Sequence, residues 1–238
     1  MINIQGKTHF GPSSIVTDGL ELYLDAANPK SYIGSGGDWN DLIKPITLTE
    51  RYSPTFSGGY FSVDGADGFN SQSDLLDIPL TTQLTMCVWY RRVGNGGTNN
   101  NRLVEVREAG SSQAYSHSLI LEGTTGNPSF WLDDNSASPN RFIDYETTYT
   151  PTNNEWHYLV GTYNSPNMVV YLDGNVIGST NGATSKLDDI NNISVGYYVL
   201  SSSDYYFNGD ISIVQIYNKE LSQEQVLQNY NSTKNRYI

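Results

Sequence analysis

Residues 154–180 read NEWHYLVGTYNSPNMVVYLDGNVIGST. Trp156, Tyr158 and Val160 alternate with His157, Leu159 and Gly161, which is the two-residue period of a strand. Met168–Leu172 is a second apolar run that meets Asp173-Gly174, and Asn175–Ser179 follows. Asp-Gly between apolar runs signals a hairpin, because both residues tolerate the positive φ of a two-residue turn. The stretch predicts three successive antiparallel strands.

The same pattern extends outward. In LTMCVWY, Leu84, Met86, Val88 and Tyr90 share one face and Thr85, Cys87 and Trp89 the other. Both faces are largely apolar, as in a central strand covered on two sides. Weaker strands are expected at Leu20–Leu24, Tyr60–Val63, Leu103–Arg107, Ser116–Glu122, Ser129–Leu132 and Arg141–Tyr145. Ile193–Tyr197 and Tyr206–Tyr217 close the series, the latter broken at Gly209-Asp210. Asp outnumbers Glu 16 to 9, and there are 22 Gly and 9 Pro, a composition that favours turns over helices. One helix is expected, over Ser222–Asn231. It opens on a capping box of Ser222 and Gln225 and has an apolar stripe of Leu221, Val226, Leu227 and Tyr230. The fold class is all-β, a two-sheet antiparallel sandwich with a short C-terminal helix. Residues 1–16 lack a sustained period and read as a disordered tail or as an extended arm that orders on a neighbour; 17–238 form one domain.

The 238 residues carry 13 Lys plus Arg and 25 Asp plus Glu, a net charge of −12. A chain this long buries roughly 70–75 % of its unfolded surface without covalent staples. Nucleic acid is not an expected partner, because no basic stripe exists to displace counterions. The nearest approach to one, Arg91-Arg92, reads as two solvated strand-end charges. No apolar run is long enough to span a bilayer, and the first residues show neither the basic start nor the apolar stretch of a secretory signal. Cys87, the one cysteine, falls in an apolar strand and is expected to be buried and inert.

Catalytic patterns are sparse. His9, His117 and His157 are widely separated and make no zinc motif. Glycoside hydrolysis needs two carboxylates converging at about 5–9.5 Å. The nearest spacing is Asp144 with Glu146, two apart at a strand end; Glu105 is followed at that spacing by Arg107.

Four segments resemble one family in its order. TDGLELYLDAANPKSYIGSGGDWNDL (17–42) resembles the opening of laminin-G-like, concanavalin A-like jelly-roll domains met among phage virion proteins. FSVDGADGF (61–69) is similar to their F-D-G-x-x-D element, and 154–180 to their W-H-x-V-x-x-T-Y…Y-x-D-G hairpin. YYFNGDISIVQIYNKELSQEQVLQNYNSTKNRY (205–237) resembles their closing strand and helix. IKPITLTE (43–50) departs from the family's Gly/Asn-rich loop, and the E-x-D-x-x-E strand of jelly-roll glucanases is absent. The resemblance implies a jelly roll and, lacking that strand, no enzyme.

Two functional expectations follow, the first from the resemblance and the second from the aromatic side chains, 18 Tyr and 4 Trp, on which sugars stack. The first is a non-enzymatic virion structural protein: a capsid decoration, head fibre or tail component on the virion surface, assembled in the host cytoplasm. Met1–Ser14 would dock on other virion proteins, and the protein would be a homo-oligomer, with a trimer as the guess from class. The second is a calcium-dependent carbohydrate-binding module or adhesin for cell-surface or mucus glycans. Trp89 would line the concave sheet, and Trp131 with Asp133, Asp134 and Asn135 would form a rim site. By the same resemblance a calcium ion (Ca2+) is expected at Asp25, Asp64, Asp67 and Asp210.

Overall fold

The computed structural model describes residues 14–65, 67–71, 82–96, 100–107, 116–123, 125–134, 141–181, 187, 191–197 and 205–238. The first strands are β1 (Leu20–Asp25), β2 (Asp38–Asn40), β3 (Thr47–Arg51), β4 (Thr55–Ser57), β5 (Tyr60–Val63) and β6 (Gly68–Ser71). Next come β7 (Gln83–Arg92), β8 (Asn101–Arg107), β9 (Ser116–Leu121), β10 (Pro128–Asp134) and β11 (Arg141–Glu146). β12 (Trp156–Asn164), β13 (Asn167–Leu172), β14 (Asn175–Asn181), β15 (Asn192–Val195) and β16 (Gly209–Tyr217) lead into helix α1 (Gln223–Thr233). They form two antiparallel sheets. Sheet A runs β14-β13-β12-β7-β16-β5-β4, with β1 also paired to β16; sheet B runs β11-β10-β9-β8-β15-β6-β3-β2. This is the expected sandwich.

The hairpin within 154–180 forms as its turn residues dictate. Asp173 (φ 53°) and Gly174 (φ 81°) both take the left-handed conformation between β13 and β14. IKPITLTE is the surprise: Thr47–Arg51 is strand β3, because Ile46 and Leu48 bury their side chains between the sheets. The last strand begins at Gly209 rather than Tyr206, and Tyr206 makes an isolated bridge to Arg102.

Two apolar layers hold the molecule. Between the sheets, Leu84, Met86, Val88 and Tyr90 of β7 meet Leu119, Phe130, Val104, Val195 and Phe69 of sheet B. Gly161 brings the sheets close, since a Cβ there would stand 2.5 Å from the Phe130 ring. The second layer lies outside sheet A. Cys87, Trp89, Tyr158, Val160, Tyr171 and Ile213 are covered there by Leu221, Val226, Tyr230 and Tyr237. The two-sided character of β7 thus has its cause in the C-terminal helix. Burial pushes the Cys87 thiol up to about 12, which keeps it protonated and inert.

The helix starts with the reciprocal Ser222–Gln225 capping box and runs to Thr233, slightly past the expected end. Its stripe differs from the expected one. Leu227 is exposed, and the polar Asn229 and Thr233 are buried. The reason is hydrogen bonding. The Asn229 carbonyl oxygen accepts from Val16 N (2.8 Å), and its amide donates to the Tyr217 hydroxyl (2.9 Å). Gln228 donates to the Ser14 carbonyl (2.7 Å), and the Tyr217 hydroxyl donates to that of Val16 (3.0 Å). Ser14–Val16 is therefore stitched to the domain rather than part of an arm; the rest of the expected arm lies outside the described residues. Among the described residues, no helix is long and apolar enough to cross a membrane.

Candidate functional site

Opposite faces of sheet B differ sharply. Register places Phe130, Leu119, Val104, Val195 and Phe69 in one row across five strands, all facing the core. One residue along, the outward row runs Trp131, Ser118, Glu105, Ser194, Asn70, Thr49 and Asp38 across seven strands. Apart from Trp131, every member is polar. Sheet A is apolar on its outer face and capped by α1; sheet B carries hydrogen-bonding groups on its own.

Trp131 is half-buried and held from two sides. The Arg102 guanidinium lies 4.8 Å from the indole centroid, and the indole N–H donates to Ser129 Oγ at 2.9 Å. Arg102 also approaches Glu105, with Nε 3.7 Å from Oε2. Both are buried, so the pair forms a charged floor under the row. The bulge between Arg102 and Val104 turns Arg102 toward Trp131 while Leu103 and Val104 stay in the core. Ser118 and Ser194, the cross-strand neighbours of Glu105, have buried hydroxyls with no hydrogen-bond partner among the described residues. Farther along the face, Arg51 sits 4.6 Å from the Tyr197 ring and 4.8 Å from that of Tyr52, which is 71 % exposed. Burial works against the Arg51 charge, but hydrogen bonding to Tyr52 and Tyr197 outweighs it and raises its pKa.

An indole fixed by a cation and a hydrogen bond is a rigid platform. The apolar C–H face of a sugar stacks on such a ring while neighbouring polar groups meet the hydroxyls. Of the residues expected from sequence, Trp131 lies in this setting. Asp133 and Asp134 end β10, but their side chains lie outside the described residues, as does Asn135. Trp89 is corrected. It belongs to sheet A, is fully buried, stacks on Tyr237 at 4.3 Å and donates to Thr233 Oγ1 at 2.8 Å. Helix α1 closes it to any ligand.

The four expected calcium ligands are not brought into one site. Asp25, 1 % exposed, accepts from Arg236 Nη1 with both oxygens at 2.8 Å. Asp210, equally buried, accepts from Arg91 Nε at 2.6 Å and Ser62 Oγ at 2.5 Å. Asp67 accepts the backbone N–H groups of Asp64 and Gly65, each at 3.0 Å, as an Asx turn does. Asp64 is exposed and shares a hollow of about 180 Å3 with Asp210. Guanidinium groups already neutralise Asp25 and Asp210, and backbone N–H groups occupy Asp67 Oδ1, so the set does not fit a calcium ion. Among the described residues no cluster of three or more His, Cys, Asp or Glu exists. Arg102 and Arg51 escaped sequence reading. The available signal was the polar alternation of Ser116/Ser118, Ser129/Trp131 and Asn192/Ser194 against their apolar neighbours.

A profile of the concanavalin A-like lectin/glucanases superfamily (Laminin_G_3) matches residues 64–227. The chain belongs to this family. Among solved structures it is similar to the Trypanosoma rangeli sialidase in complex with 2,3-difluorosialic acid (TM-score 0.70, 12 % identity). That match covers 99 % of this chain and 36 % of the sialidase, so the chain spans about a third of that enzyme's length. It is also similar to domain 4 of AbnA, a GH43 extracellular arabinanase from Geobacillus stearothermophilus, in complex with arabinotriose. There the TM-score is 0.62 and the identity 16 %, over 89 % of this chain and 98 % of that domain. The binding domain of botulinum neurotoxin serotype G gives 0.62 at 14 % identity, over 89 % of this chain and 50 % of that one. Comparison with curated protein sequences finds no match. At these identities the likeness is one of fold.

Proposed function

We propose that this protein is a non-catalytic carbohydrate-binding jelly roll that presents the outer face of sheet B to glycans. The observation that carries the reading is the Trp131 indole, fixed by Arg102 and Ser129 at one end of a polar row spanning the sheet. The complex of the arabinanase domain with arabinotriose supports sugar binding on this fold. Catalysis finds less support. Glu105 is buried beside Arg102, and Glu146 is exposed and accepts from Asn127 Nδ2 at 3.2 Å. Glu105 and Glu146 stand three strands apart in sheet B, about 14 Å at the usual strand spacing, beyond the reach of a hydrolytic pair; the side chain of Asp144, the expected partner of Glu146, lies outside the described residues. The resemblance of 17–42 and 205–237 to phage virion domains supports display on a virion surface. There residues 1–13 would engage neighbouring virion proteins.

A glycan array probed with wild type and Trp131→Ala tests the binding. The reading expects a defined set of glycans bound by wild type and lost in the variant, with unchanged thermal stability. Absence of binding by wild type, or equal binding by both, contradicts it. Release of reducing sugar from any bound glycan contradicts the non-catalytic part.

A further inference from the structure

Arg91 and Arg92 end strand β7 and point to opposite faces of sheet A. Arg91 does what a strand-end arginine is expected to do: it pairs with Asp210 and stays partly solvated. Arg92 does not. It is 6 % exposed, so the expectation of two solvated charges fails for it. No carboxylate of a described residue lies within ion-pairing distance, although the chain carries twelve more acids than bases. Its one protein acceptor among the described residues is Asn95 Oδ1, 3.0 Å from Nη2. A guanidinium has five N–H donors, so most of its hydrogen-bonding capacity is unspent.

The surroundings are shaped around that charge. Gly126 has φ +75°, and a Cβ built there would fall 1.8 Å from Arg92 Nη1, so the guanidinium occupies the place of a side chain. The turn holding Gly126 is closed by its own N–H donating to the Glu122 carbonyl at 2.7 Å. Tyr90, two residues back on the same face, has a buried hydroxyl without a hydrogen-bond partner among the described residues. Tyr149, 48 % exposed, lies within electrostatic reach of that hydroxyl, as does Arg92 itself. His157, opposite Tyr90 in the β7–β12 register, is already paired with Asp173, whose carboxylate also lies within electrostatic reach of the Tyr90 hydroxyl, so Arg92 is the cation there left without a carboxylate partner among the described residues. Burial lowers the Arg92 pKa, which marks the charge as costly where it stands. A guanidinium held in place by its surroundings with no carboxylate against it keeps N–H donors free to take an anion.

We propose that Arg92 anchors an oxyanion site at the loop-bearing end of the sandwich and takes the carboxylate of an acidic sugar. The planar fork matches a carboxylate, and the exposed Tyr149 ring offers a stacking surface for the sugar beside it. The site sits at the end of sheet A, apart from the Trp131 face. It rests on the glycan reading only for the identity of the group that bears the charge.

The test titrates galacturonic acid, galactose, acetate and inorganic phosphate into 15N-labelled protein and follows the arginine Nε–H signals. Galacturonic acid is expected to shift Arg92 saturably, galactose to leave it still, and Arg91, already paired, to stay unmoved by either. Arg92→Met is expected to weaken galacturonate binding about tenfold or more. It should also melt no lower than wild type, since it removes an unpaired buried charge. Gly126→Ala, which displaces the guanidinium, should weaken binding as well. Acetate and phosphate acting as strongly as galacturonate would overturn the sugar assignment and leave the anion site. No Arg92 response to any anion, with Arg92→Met melting well below wild type, would overturn the site and make Arg92 a structural residue. Trp131→Ala separates the two readings. Loss of array binding with the Arg92 response intact is expected, whereas failure of the array in wild type leaves the anion result standing by itself.

Discussion

The indole N–H of Trp89 donates to the hydroxyl of Thr233 at 2.8 Å, tying the middle strand of sheet A to the last turn of the C-terminal helix. The bond is buried at both ends and spans 144 residues of sequence. Thr233→Val leaves the indole donor unsatisfied and should cost about 1–3 kcal/mol. Thr233→Ser should recover most of it. Urea unfolding followed by tryptophan fluorescence measures both; a Thr233→Val protein as stable as wild type would show that the helix cover rests on packing alone.

Asp25 and Arg236 form a second clasp between the first strand and the C-terminal segment. The partners are unequal. Asp25 is almost fully buried, and 43 % of the Arg236 side chain is exposed. Removing the arginine strands a buried carboxylate whose remaining donors are the Tyr23 hydroxyl and Ala27 N–H. Removing the carboxylate leaves a cation that can turn to water. Arg236→Ala should therefore cost more than Asp25→Asn, by about 1–2 kcal/mol. Chemical unfolding of the two variants checks the order, and the reverse order refutes this account of the pair.

His157 gives the fold a pH dependence. Burial disfavours its charge, but the hydrogen bond from Nδ1 to Asp173 Oδ2 (2.9 Å) and the charge of Asp173 outweigh it and raise the pKa. A group with a raised folded pKa contributes its full stability below the unfolded value of about 6.5 and loses it as pH climbs through the folded value. The melting-temperature gap between wild type and His157→Gln should be widest below pH 6.5 and close above it. A gap that widens with pH would mean His157 acts as a neutral hydrogen-bonding group.

Gly161 faces Phe130 across the sandwich. Gly161→Ala should destabilise by about 1–3 kcal/mol through overpacking. Phe130→Leu in the same chain should cost less than the two single changes added together, because the smaller side chain makes room. Strict additivity in a double-mutant cycle would show that the methyl is accommodated by sheet movement instead.

The fold was legible because its signals are local. Asp173-Gly174 sets a turn, Leu84–Tyr90 alternates, and Ser222 with Gln225 caps a helix. β3 was hidden because Thr47–Arg51 looks like polar loop sequence until Ile46 and Leu48 find their partners across the sheet. The helix face was misread for a related reason. Asn229 and Thr233 are polar and read as solvent-facing, yet they are buried because Val16, Tyr217 and Trp89 supply hydrogen bonds from distant sequence. Trp131 was recognisable as a candidate from its type and neighbours. Trp89 shares only the residue type, sits in an apolar strand and lies under a helix. Only the register that aligns Trp131, Ser118, Glu105 and Ser194 across four strands distinguishes the two tryptophans.

The most direct test follows the two indole N–H signals while a glycan from the array is titrated into 15N-labelled protein. The Trp131 Nε1–H signal should shift saturably together with backbone amides of β8, β9 and β10, and the Trp89 signal should stay fixed. Shifts confined to Trp89 and the helix, with Trp131 unmoved, would contradict the assignment of sheet B as the recognition face.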